Sequence, residues 1–306
     1  MKGFRGSICQ RPGMRPSDIE YFRYFAASPR DRQWGLWVSG VGSTEIGSAW
    51  TDYPKHHHPD AYMFGWEQGR VLHEYQALHM LRGGGEFEST RAGHRRVAPG
   101  TLALLFPGDW HRYRPDKKTG WDEYWVSFAG WQMDALVHAG FFTPDEPLLA
   151  IGADEVVLQA YLDLLDLARA EPVGFQQLAA AGIQTILAAV LAAQRRRDSS
   201  AEDEQRVRQA KAYLEERVEG TVAMPDVAAL LHISPRHLSR LFRRHTGMSP
   251  HEFYLQMKMR RAQQLLGTDL RLKAIANQLG FDSPFHFSRA FKKRFGLSPS
   301  QWRLRK

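Results

Sequence analysis

Two segments near the end of the 306-residue chain carry the same polar side chains at the same spacing. Residues 234–250 recur 49 positions later as residues 283–299, with Ser, Pro, His, Arg, Phe and Gly at equivalent places. In both copies Lys, Arg and His recur three and four positions apart, which places them on one face of a helix. Such side chains donate hydrogen bonds to phosphate oxygens and to the edges of bases. A basic face can also be simply solvated, but two matched faces favour binding to a polyanion.

Local signals predict a helix-turn-helix unit around each copy. A Ser-Pro pair occurs at 234, 249, 283 and 298, where the Ser hydroxyl can cap a helix start and Pro fits the first helical position. Gly247 and Gly296 indicate where the helices between these pairs end. Shorter helices are predicted before the copies, at 226–231 and 273–279, each followed by a tight turn. A further helix predicted at 250–266 separates the two units as a spacer about 25 Å long.

The net charge is concentrated in the same part of the chain. Of the formal +8, residues 205–306 contribute +13, from 20 Lys and Arg against 7 Asp and Glu, and the other residues contribute −5. This asymmetry predicts that the second part meets nucleic acid. We assign the contacts to the caps and exposed faces of the two copies, namely Ser234, Arg236, His237, Arg240, Arg243, Arg244, Ser283, Phe285, His286, Arg289, Lys292 and Lys293.

A different chemistry is concentrated in residues 110–125. A sugar site needs a flat ring to cover C–H groups and charged or amide groups to pair with hydroxyls. These types occur together as Trp110, Tyr113, Arg114, Trp121, Asp122, Glu123 and Trp125. The alternative is that the tryptophans only fill the core of a small β-domain.

Metal and catalytic chemistry have weaker support. His56, His57, His58, His73, His79 and His111 are ligand types, but their spacing does not match a metal centre, and we expect His56 to His58 to form a loop or the rim of a pocket. No nucleophile and base, or pair of carboxylates, stands out, and Gly83-Gly84-Gly85 lacks the Lys and Ser/Thr of a P-loop. We therefore expect no catalytic residue, no metal and no cofactor, so the chain is not expected to be an enzyme.

The elements that position these residues differ between the two parts of the chain. Residues 34–128 hold short aromatic and branched runs, broken by Gly and Pro every 8 to 12 residues, which predicts a β-domain. Residues 154–170 and 174–197 have helical periodicity, and their spare apolar face would either form a dimer or cover the β-domain. Residues 195–204 have no apolar period and predict a linker. The fold class is therefore α+β with two domains.

The composition of the chain predicts the compartment in which the protein acts. With 43% hydrophobic residues the chain can bury real cores, and its start lacks the apolar segment of a signal peptide. We expect no membrane span, because Gln residues interrupt the most apolar helix. The single cysteine, Cys9, allows no disulfide within the chain. These features predict a cytoplasmic protein.

The second part resembles the DNA-binding domain of the AraC/XylS family of bacterial transcription regulators. The resemblance lies in residues 275–281, 283–291 and 295–299, within about a hundred residues, and its motifs are specific. It implies a domain that reads double-stranded DNA with two helix-turn-helix units, contacts RNA polymerase and is often controlled by a sensory domain upstream.

The first part resembles, more loosely, the cupin-type ligand-binding domain of these regulators, through residues 69–75, 83–85 and 100–113. In sugar-responsive members the matching positions that contact ligand fall on Arg70, Tyr113, Glu123 and Trp125. Glu123 replaces the imidazole of the arabinose regulator, and the spacing after Arg70 differs, which disfavours arabinose itself. The full set of expected ligand contacts is Arg70, Glu74, Trp110, His111, Tyr113, Glu123 and Trp125.

The sequence thus predicts a cupin-like β-barrel that senses a ligand at 1–150, a helical pair suited to dimerisation at 151–197, a linker at 198–204 and an all-α DNA-binding domain at 205–306. The expected function is an effector-responsive transcription regulator, an activator that answers to a sugar or related carbohydrate and acts as a homodimer. The alternatives are a metal-dependent cupin enzyme fused to a DNA-binding module and a DNA-binding protein that needs no ligand.

Overall fold

The computed structural model of the chain describes residues 20–48, 50, 53, 58, 62–197 and 200–305. Cys9, His56 and His57 lie outside the described residues. The chain divides into two compact units, Met1–Gln194 and Arg195–Lys306. The first unit is rich in strands and the second is helical, so the predicted α+β fold class is confirmed.

Two antiparallel sheets form the first unit. Its described strands are β1 (Glu20–Tyr24), β2 (Trp37–Ile46), β3 (Arg70–Val71), β4 (Tyr75–Gly83), β5 (Gly85–Ser89), β6 (Gly93–Val97), β7 (Thr101–Leu105), β8 (Trp110–Pro115), β9 (Trp121–Ala129) and β10 (Leu148–Ala150). The larger sheet has the order β1-β2-β9-β4-β7-β10 and the smaller one β3-β8-β5-β6. The Gly and Pro breaks at 83–85, 92–94, 99–100 and 107–109 fall between strands or at their ends. The edge strands β1 and β10 lie outside the predicted β-domain of residues 34–128.

Alternation along the strands separates two apolar cores. In β7, Leu102 and Leu104 pack on the helical side of the larger sheet, while Ala103 and Leu105 pack between the two sheets. Neighbouring residues of a strand point to opposite faces, so one strand serves both cores. The space between the sheets is the interior of the barrel that the cupin resemblance implies.

Helices cover the outer face of the larger sheet. The first unit contains α1 (Pro29–Gln33), α2 (Trp131–His138), α3 (Glu155–Ala170) and α4 (Phe175–Arg197). Tyr161 of α3 and Ile183 of α4 are fully buried in the core beneath them. Gln176 also fixes α4 to β2, since its side-chain amide accepts from Val38 N at 2.9 Å and donates to Val38 O at 3.0 Å. The inner faces of the helical pair therefore cover the β-domain, one of the two predicted uses.

The length and composition of α4 bear on the expectation that the chain has no membrane span. Residues 175–196 are long and apolar enough to cross a membrane by those two criteria alone. The helix is a packed one, however, because 44% of its most apolar window is buried inside the unit. Ala180, Ile183 and Val190 lie in the core against the sheet. The core helix of a folded domain meets the same two criteria, so they are weak evidence for a membrane span.

The second unit holds the two helix-turn-helix units and the spacer. Its described helices are α5 (Ala201–Glu216), α6 (Met224–Leu230), α7 (Pro235–Thr246), α8 (Pro250–Leu265), α9 (Leu272–Gln278), α10 (Pro284–Phe295) and α11 (Pro299–Arg303). The four Ser-Pro pairs begin α7, α8, α10 and α11, and each Ser hydroxyl accepts a backbone N–H. One apolar core lies around α7 and another around α10.

Part of the predicted linker is helical. Residues 201–204 form the first turn of α5, because Ser200 Oγ accepts from Asp203 N at 3.1 Å. The acidic residues Glu202, Asp203 and Glu204 also suit the positive end of a helix dipole. The missing apolar period misled the prediction, since α5 buries Val207, Ala210 and Leu214 only after its first turn.

Candidate functional site

A small cavity lies inside the barrel and brings together four of the predicted ligand contacts, Arg70, Tyr113, Glu123 and Trp125. Its volume is about 30 Å³, room for only one or two water molecules. The other lining side chains are Tyr24, Tyr53, His58, Tyr62, Phe64 and Gln76. The smaller sheet contributes Arg70 and Tyr113, and the larger sheet contributes Gln76, Glu123 and Trp125. The site therefore depends on both sheets.

Arg70 is the centre of the polar network in this pocket. Its guanidinium donates to Tyr113 Oη at 2.6 Å, to Gln76 Oε1 at 2.9 Å and to Tyr62 O at 2.7 Å. Its Nε also donates to His111 Nε2 at 3.2 Å. The first three partners are a hydroxyl, an amide and a backbone carbonyl, which carry no charge. His111 is also uncharged, because burial and the nearby guanidinium lower its pKa to about 3. Within the described residues Arg70 forms no ion pair with a carboxylate.

Glu123 is the buried acid of the pocket. Tyr53 Oη donates to Glu123 Oε2 at 2.9 Å. Burial raises the pKa of Glu123 to about 7, although the Tyr53 hydrogen bond and Arg70 act in the opposite direction. Near neutral pH this side chain can therefore either donate or accept a hydrogen bond.

Trp125 supplies the flat apolar wall. Its ring lies 5.8 Å from the ring of Tyr24 and 6.1 Å from that of His58, measured between centroids. Gly42 on β2 makes room for the indole, since a Cβ at this position would lie 2.6 Å from Trp125 Cε2. Gly in a strand often marks such a close approach.

Three predicted ligand contacts lie outside the cavity lining. Trp110 is on the outer face of β8, where its Nε1 donates to Gln68 O at 2.8 Å, so this prediction is corrected. Side chains alternate along a strand, and His111 and Tyr113 face inward. His111 lies outside the lining and accepts a hydrogen bond from Arg70 Nε. Glu74 is held by Ser39 Oγ and by Tyr62 Oη.

Several lining residues were not predicted from the sequence, including Tyr24, Tyr62 and Gln76. Gln76 is 4% exposed, and its Nε2 donates to Ser127 Oγ at 3.0 Å, which orients its carbonyl toward Arg70. A polar side chain inside the apolar run of β4 was the one available signal. Tyr24 gave none, because its place in the pocket depends on long-range pairing between β1 and β2.

The histidines are dispersed. His58 lines the pocket, whereas His79 lies on the other face of the sheet, 6.1 Å from the ring of Tyr161. Burial lowers the pKa of His79 to about 4. Among the described residues, no group of three or more His, Cys, Asp and Glu side chains could hold a metal ion.

We expect Glu123→Gln to change how stability depends on pH. The folded state keeps a proton on Glu123 up to a pKa of about 7, against an ordinary value of 4.5. Its stabilising contribution is therefore fully present below the unfolded pKa and is lost as pH rises through the folded pKa. Gln cannot ionise and still accepts from Tyr53. The variant should gain stability over the parent between about pH 5 and pH 8, by up to about 3 kcal/mol.

Tryptophan fluorescence during thermal unfolding measures this effect, because eight of the nine tryptophans lie in the first unit. His79 and His111 titrate in both proteins, so they cancel in the comparison. Parallel stability curves over this pH range would show that Glu123 ionises normally.

The second unit presents two matched basic helices, α7 and α10. Ser234 Oγ accepts from His237 N and Ser283 Oγ accepts from His286 N, both at 3.2 Å, so the helices begin alike. The predicted DNA contacts that are exposed on these helices are Arg236, Arg240, Arg243, Phe285, His286, Arg289, Lys292 and Lys293. No Lys or Arg of this set forms an ion pair within the described part of the chain. The inward faces carry Leu238, Leu241 and Phe242, or Phe287 and Phe291.

Arg244 differs from the other predicted DNA contacts. Its guanidinium pairs with Asp203 of α5 at 2.8 Å and its side chain is 32% exposed. This ion pair joins α7 to α5, a helix that was not among the predicted ones. The contact of Arg244 with DNA stays a prediction, and in the structure its side chain also holds α5 on α7.

Lys258, which was not among the predicted functional residues, is buried in the spacer helix α8. Its Nζ donates to Gly220 O at 2.6 Å and lies 4.5 Å from the ring centroid of Tyr254. Burial lowers the pKa of Lys258 to about 8. Tyr254 Oη donates to Arg217 O at 2.6 Å. Together they attach the loop before α6 to the spacer.

Comparisons with known proteins match both units. Residues 44–210 match a family described as an AraC-like ligand binding domain, and residues 227–305 match a helix-turn-helix domain. The chain is 29% identical over 190 residues to the MmsAB operon regulatory protein of Pseudomonas aeruginosa, covering 61% of this chain and 60% of that protein. It is 24% identical to the Msm operon regulatory protein of Streptococcus mutans, covering 71% of this chain and 80% of that protein.

A solved AraC-type transcriptional regulator from Chromobacterium violaceum is 30% identical, with a TM-score of 0.32, and covers 34% of this chain and 95% of that one. The ligand-binding match alone spans more than half of the chain, and the helix-turn-helix match includes both basic helices. The chain therefore belongs to the AraC family of DNA-binding transcription regulators.

Proposed function

We propose that this regulator senses a small molecule in the barrel pocket and changes transcription through the two basic helices. The observation that carries the proposal is the buried network around Arg70, in which one guanidinium and its neutral partners line a cavity beside Glu123 and Trp125. Convergent polar groups within an aromatic cavity are typical of small-molecule sites. The two relatives named above are operon regulators by their names, which supports control of an operon.

The effector we propose is a sugar or a related carbohydrate such as a sugar acid. The Trp125 ring suits the C–H face of a sugar, and Gln76, Glu123 and Arg70 suit its hydroxyl groups. Arg70 has no carboxylate partner among the described residues, so it would also pair with the carboxylate of a sugar acid. Arabinose itself is disfavoured by Glu123.

The pocket must enlarge when it binds such a molecule. Its volume of about 30 Å³ is far below that of a sugar, and ligand sites usually measure about 300 to 1,000 Å³. Aromatic side chains such as Tyr53 and Tyr62 line the cavity and would have to move to make room. An effector that binds only the enlarged state shifts the population toward that state. If the two states also differ in their affinity for DNA, the effector changes DNA binding through this shift.

A second copy of the chain would dock on the outer groove between α3 and α4. This groove, about 640 Å³, is larger than the barrel cavity, but its floor is apolar and open, so it suits a helix better than an effector. Val156 and Leu178 are about half exposed there, and exposed apolar patches often mark interfaces. Sedimentation of Leu178→Glu against the parent chain tests the homodimer. If the variant and the parent chain sediment with equal masses, a homodimer formed through this groove is contradicted.

On DNA, we propose that Arg236, Arg240, His286 and Arg289 near the helix starts contact bases, while Arg243, Lys292 and Lys293 contact phosphates. The bound regulator would act in the cytoplasm as an activator that contacts RNA polymerase, as the family resemblance implies. No catalytic step is part of this function.

A thermal-shift panel on the full chain tests the effector. It includes pentoses, hexoses, their acids and short oligosaccharides, with divalent metal ions and chelator in parallel. We expect one carbohydrate class to raise the unfolding midpoint, because a ligand at 100 times its Kd stabilises the folded state by about 2.7 kcal/mol. Arg70→Met should abolish the shift, since it removes the donor to Tyr113 and Gln76.

Arg112→Met is the matched control, because Arg112 lies on the outer face of β8 and pairs with Glu88 at 2.6 Å. It should keep the shift. A shift with metal alone would favour the cupin enzyme. No shift with any compound would favour a regulator that needs no ligand.

A further inference from the structure

The two basic helices, α7 and α10, are the recognition helices of the two units, and their residue types match at every predicted contact position except one. At an offset of 49 residues, His237 matches His286 and Arg240 matches Arg289. The two basic residues at 243 and 244 match those at 292 and 293. The exception is Arg236, whose equivalent is Phe285. Apart from this position, and from Arg244, which pairs with Asp203, the two helices therefore offer the same chemistry to DNA.

Arg236 and Phe285 occupy equivalent places at the starts of their helices. Arg236 and Phe285 each follow a capping Ser and a Pro at the first helical position. Both Ser hydroxyls accept from the third helical N–H at 3.2 Å. Arg236 and Phe285 thus leave their helices in the same direction, at the end that enters a groove first in helix-turn-helix proteins.

Phe285 is not needed by the core of its own unit. It is 70% exposed, whereas Phe287 and Phe291 on the opposite face are fully buried. Its described ring contact is with neighbouring His286, at 6.3 Å between centroids. An exposed aromatic ring at the start of a recognition helix gains stability only when a partner covers it.

In a DNA major groove the apolar group available to such a ring is the C5-methyl group of thymine. An arginine at the equivalent place instead pairs with O6 and N7 of guanine. We propose that the operator is a tandem pair of related half-sites that differ at this base pair. The first unit reads guanine there through Arg236, and the second reads a thymine methyl group through Phe285. This inference rests on the proposed DNA contacts.

The test uses the full chain and a duplex selected from a random-sequence DNA pool. Each thymine of the selected duplex is replaced in turn by deoxyuridine, which removes only the methyl group. We expect one replacement, in the half-site of the second unit, to weaken binding about fourfold. Phe285→Ala should weaken binding to the parent duplex similarly and make that replacement neutral, since the two changes remove one contact.

Exchange of the two side chains provides the reciprocal test. Phe285→Arg should change the preferred base in the second half-site from thymine to guanine, by about tenfold or more, and Arg236→Phe should do the opposite in the first. Unchanged unfolding midpoints are expected, because both side chains are exposed.

The outcomes separate this inference from the broader proposal. If every deoxyuridine duplex binds as tightly as its parent while scrambled DNA binds weakly, the DNA function stands and the thymine contact is wrong. If Phe285→Ala lowers transcription without changing DNA affinity, the ring meets a protein partner instead. If no duplex is enriched from the pool, the proposed DNA reading fails and the inference fails with it.

Discussion

Replacing both Arg240 and Arg289 with Ala should reduce the affinity of the full chain for its operator by about 100-fold to 1,000-fold. These arginines occupy equivalent exposed positions, one on each recognition helix, and neither forms an ion pair in the described part of the chain. An arginine that holds a guanine edge contributes about 1 to 3 kcal/mol, so two of them account for this loss. Binding to scrambled DNA should fall much less.

Arg294→Ala is the matched control. Arg294 is an exposed arginine of α10, but it lies about 140° around the helix from Arg289. It removes one positive charge from the helix that carries Arg289, as Arg289→Ala does, and should change operator affinity only slightly. An equal loss from the double variant on operator and scrambled DNA would make Arg240 and Arg289 phosphate contacts, and recognition of bases would then lie elsewhere.

The second large effect is on stability, from Gly280→Ala. Gly280 has a φ of +65°, and a Cβ there would overlap the carbonyl oxygen of Gly220. That oxygen already accepts from Lys258 Nζ at 2.6 Å, so the loop cannot easily withdraw. Left-handed strain and overpacking together should cost about 3 kcal/mol. Hydrogen exchange of the amides in α9 and α10 of the full chain should accelerate accordingly.

Gly247→Ala separates the two causes. Gly247 also has a positive φ, of +77°, but no atom of the described residues lies within 4 Å of the place a Cβ would occupy. This variant should therefore lose only about 1 kcal/mol of folding stability, from the left-handed backbone strain. If the two variants exchange at the same rate, the contact between Gly280 and Gly220 has no energetic importance.

The helical unit was largely predictable because its signals are local. Each Ser-Pro pair caps the helix it begins, and the caps at Ser234 and Ser283 have the same hydrogen bond. The pairing of Arg244 with Asp203 was not predictable, because the packing of α5 on α7 brings Asp203 to it. A charge pattern on one helix contains no information about such a partner.

The pocket was only partly predictable because it is assembled across two sheets. Tyr113 and Trp125 were found by their types, but Tyr24 and Gln76 reach the cavity through strand pairing distant in sequence. Trp110 was an avoidable error. If Tyr113 faces inward, strand alternation already places Trp110 three residues earlier on the outer face.

The most direct test of the central claim is a titration of the full chain on its selected operator, with and without the carbohydrate identified by thermal shift. We predict operator binding about 1,000-fold or more tighter than binding to a scrambled duplex, with affinity that falls steeply as salt rises. The carbohydrate should change operator affinity at least about fivefold, and Arg70→Met should remove that change. Equal affinity for both duplexes, or operator affinity unaffected by the carbohydrate, would contradict an effector-responsive regulator.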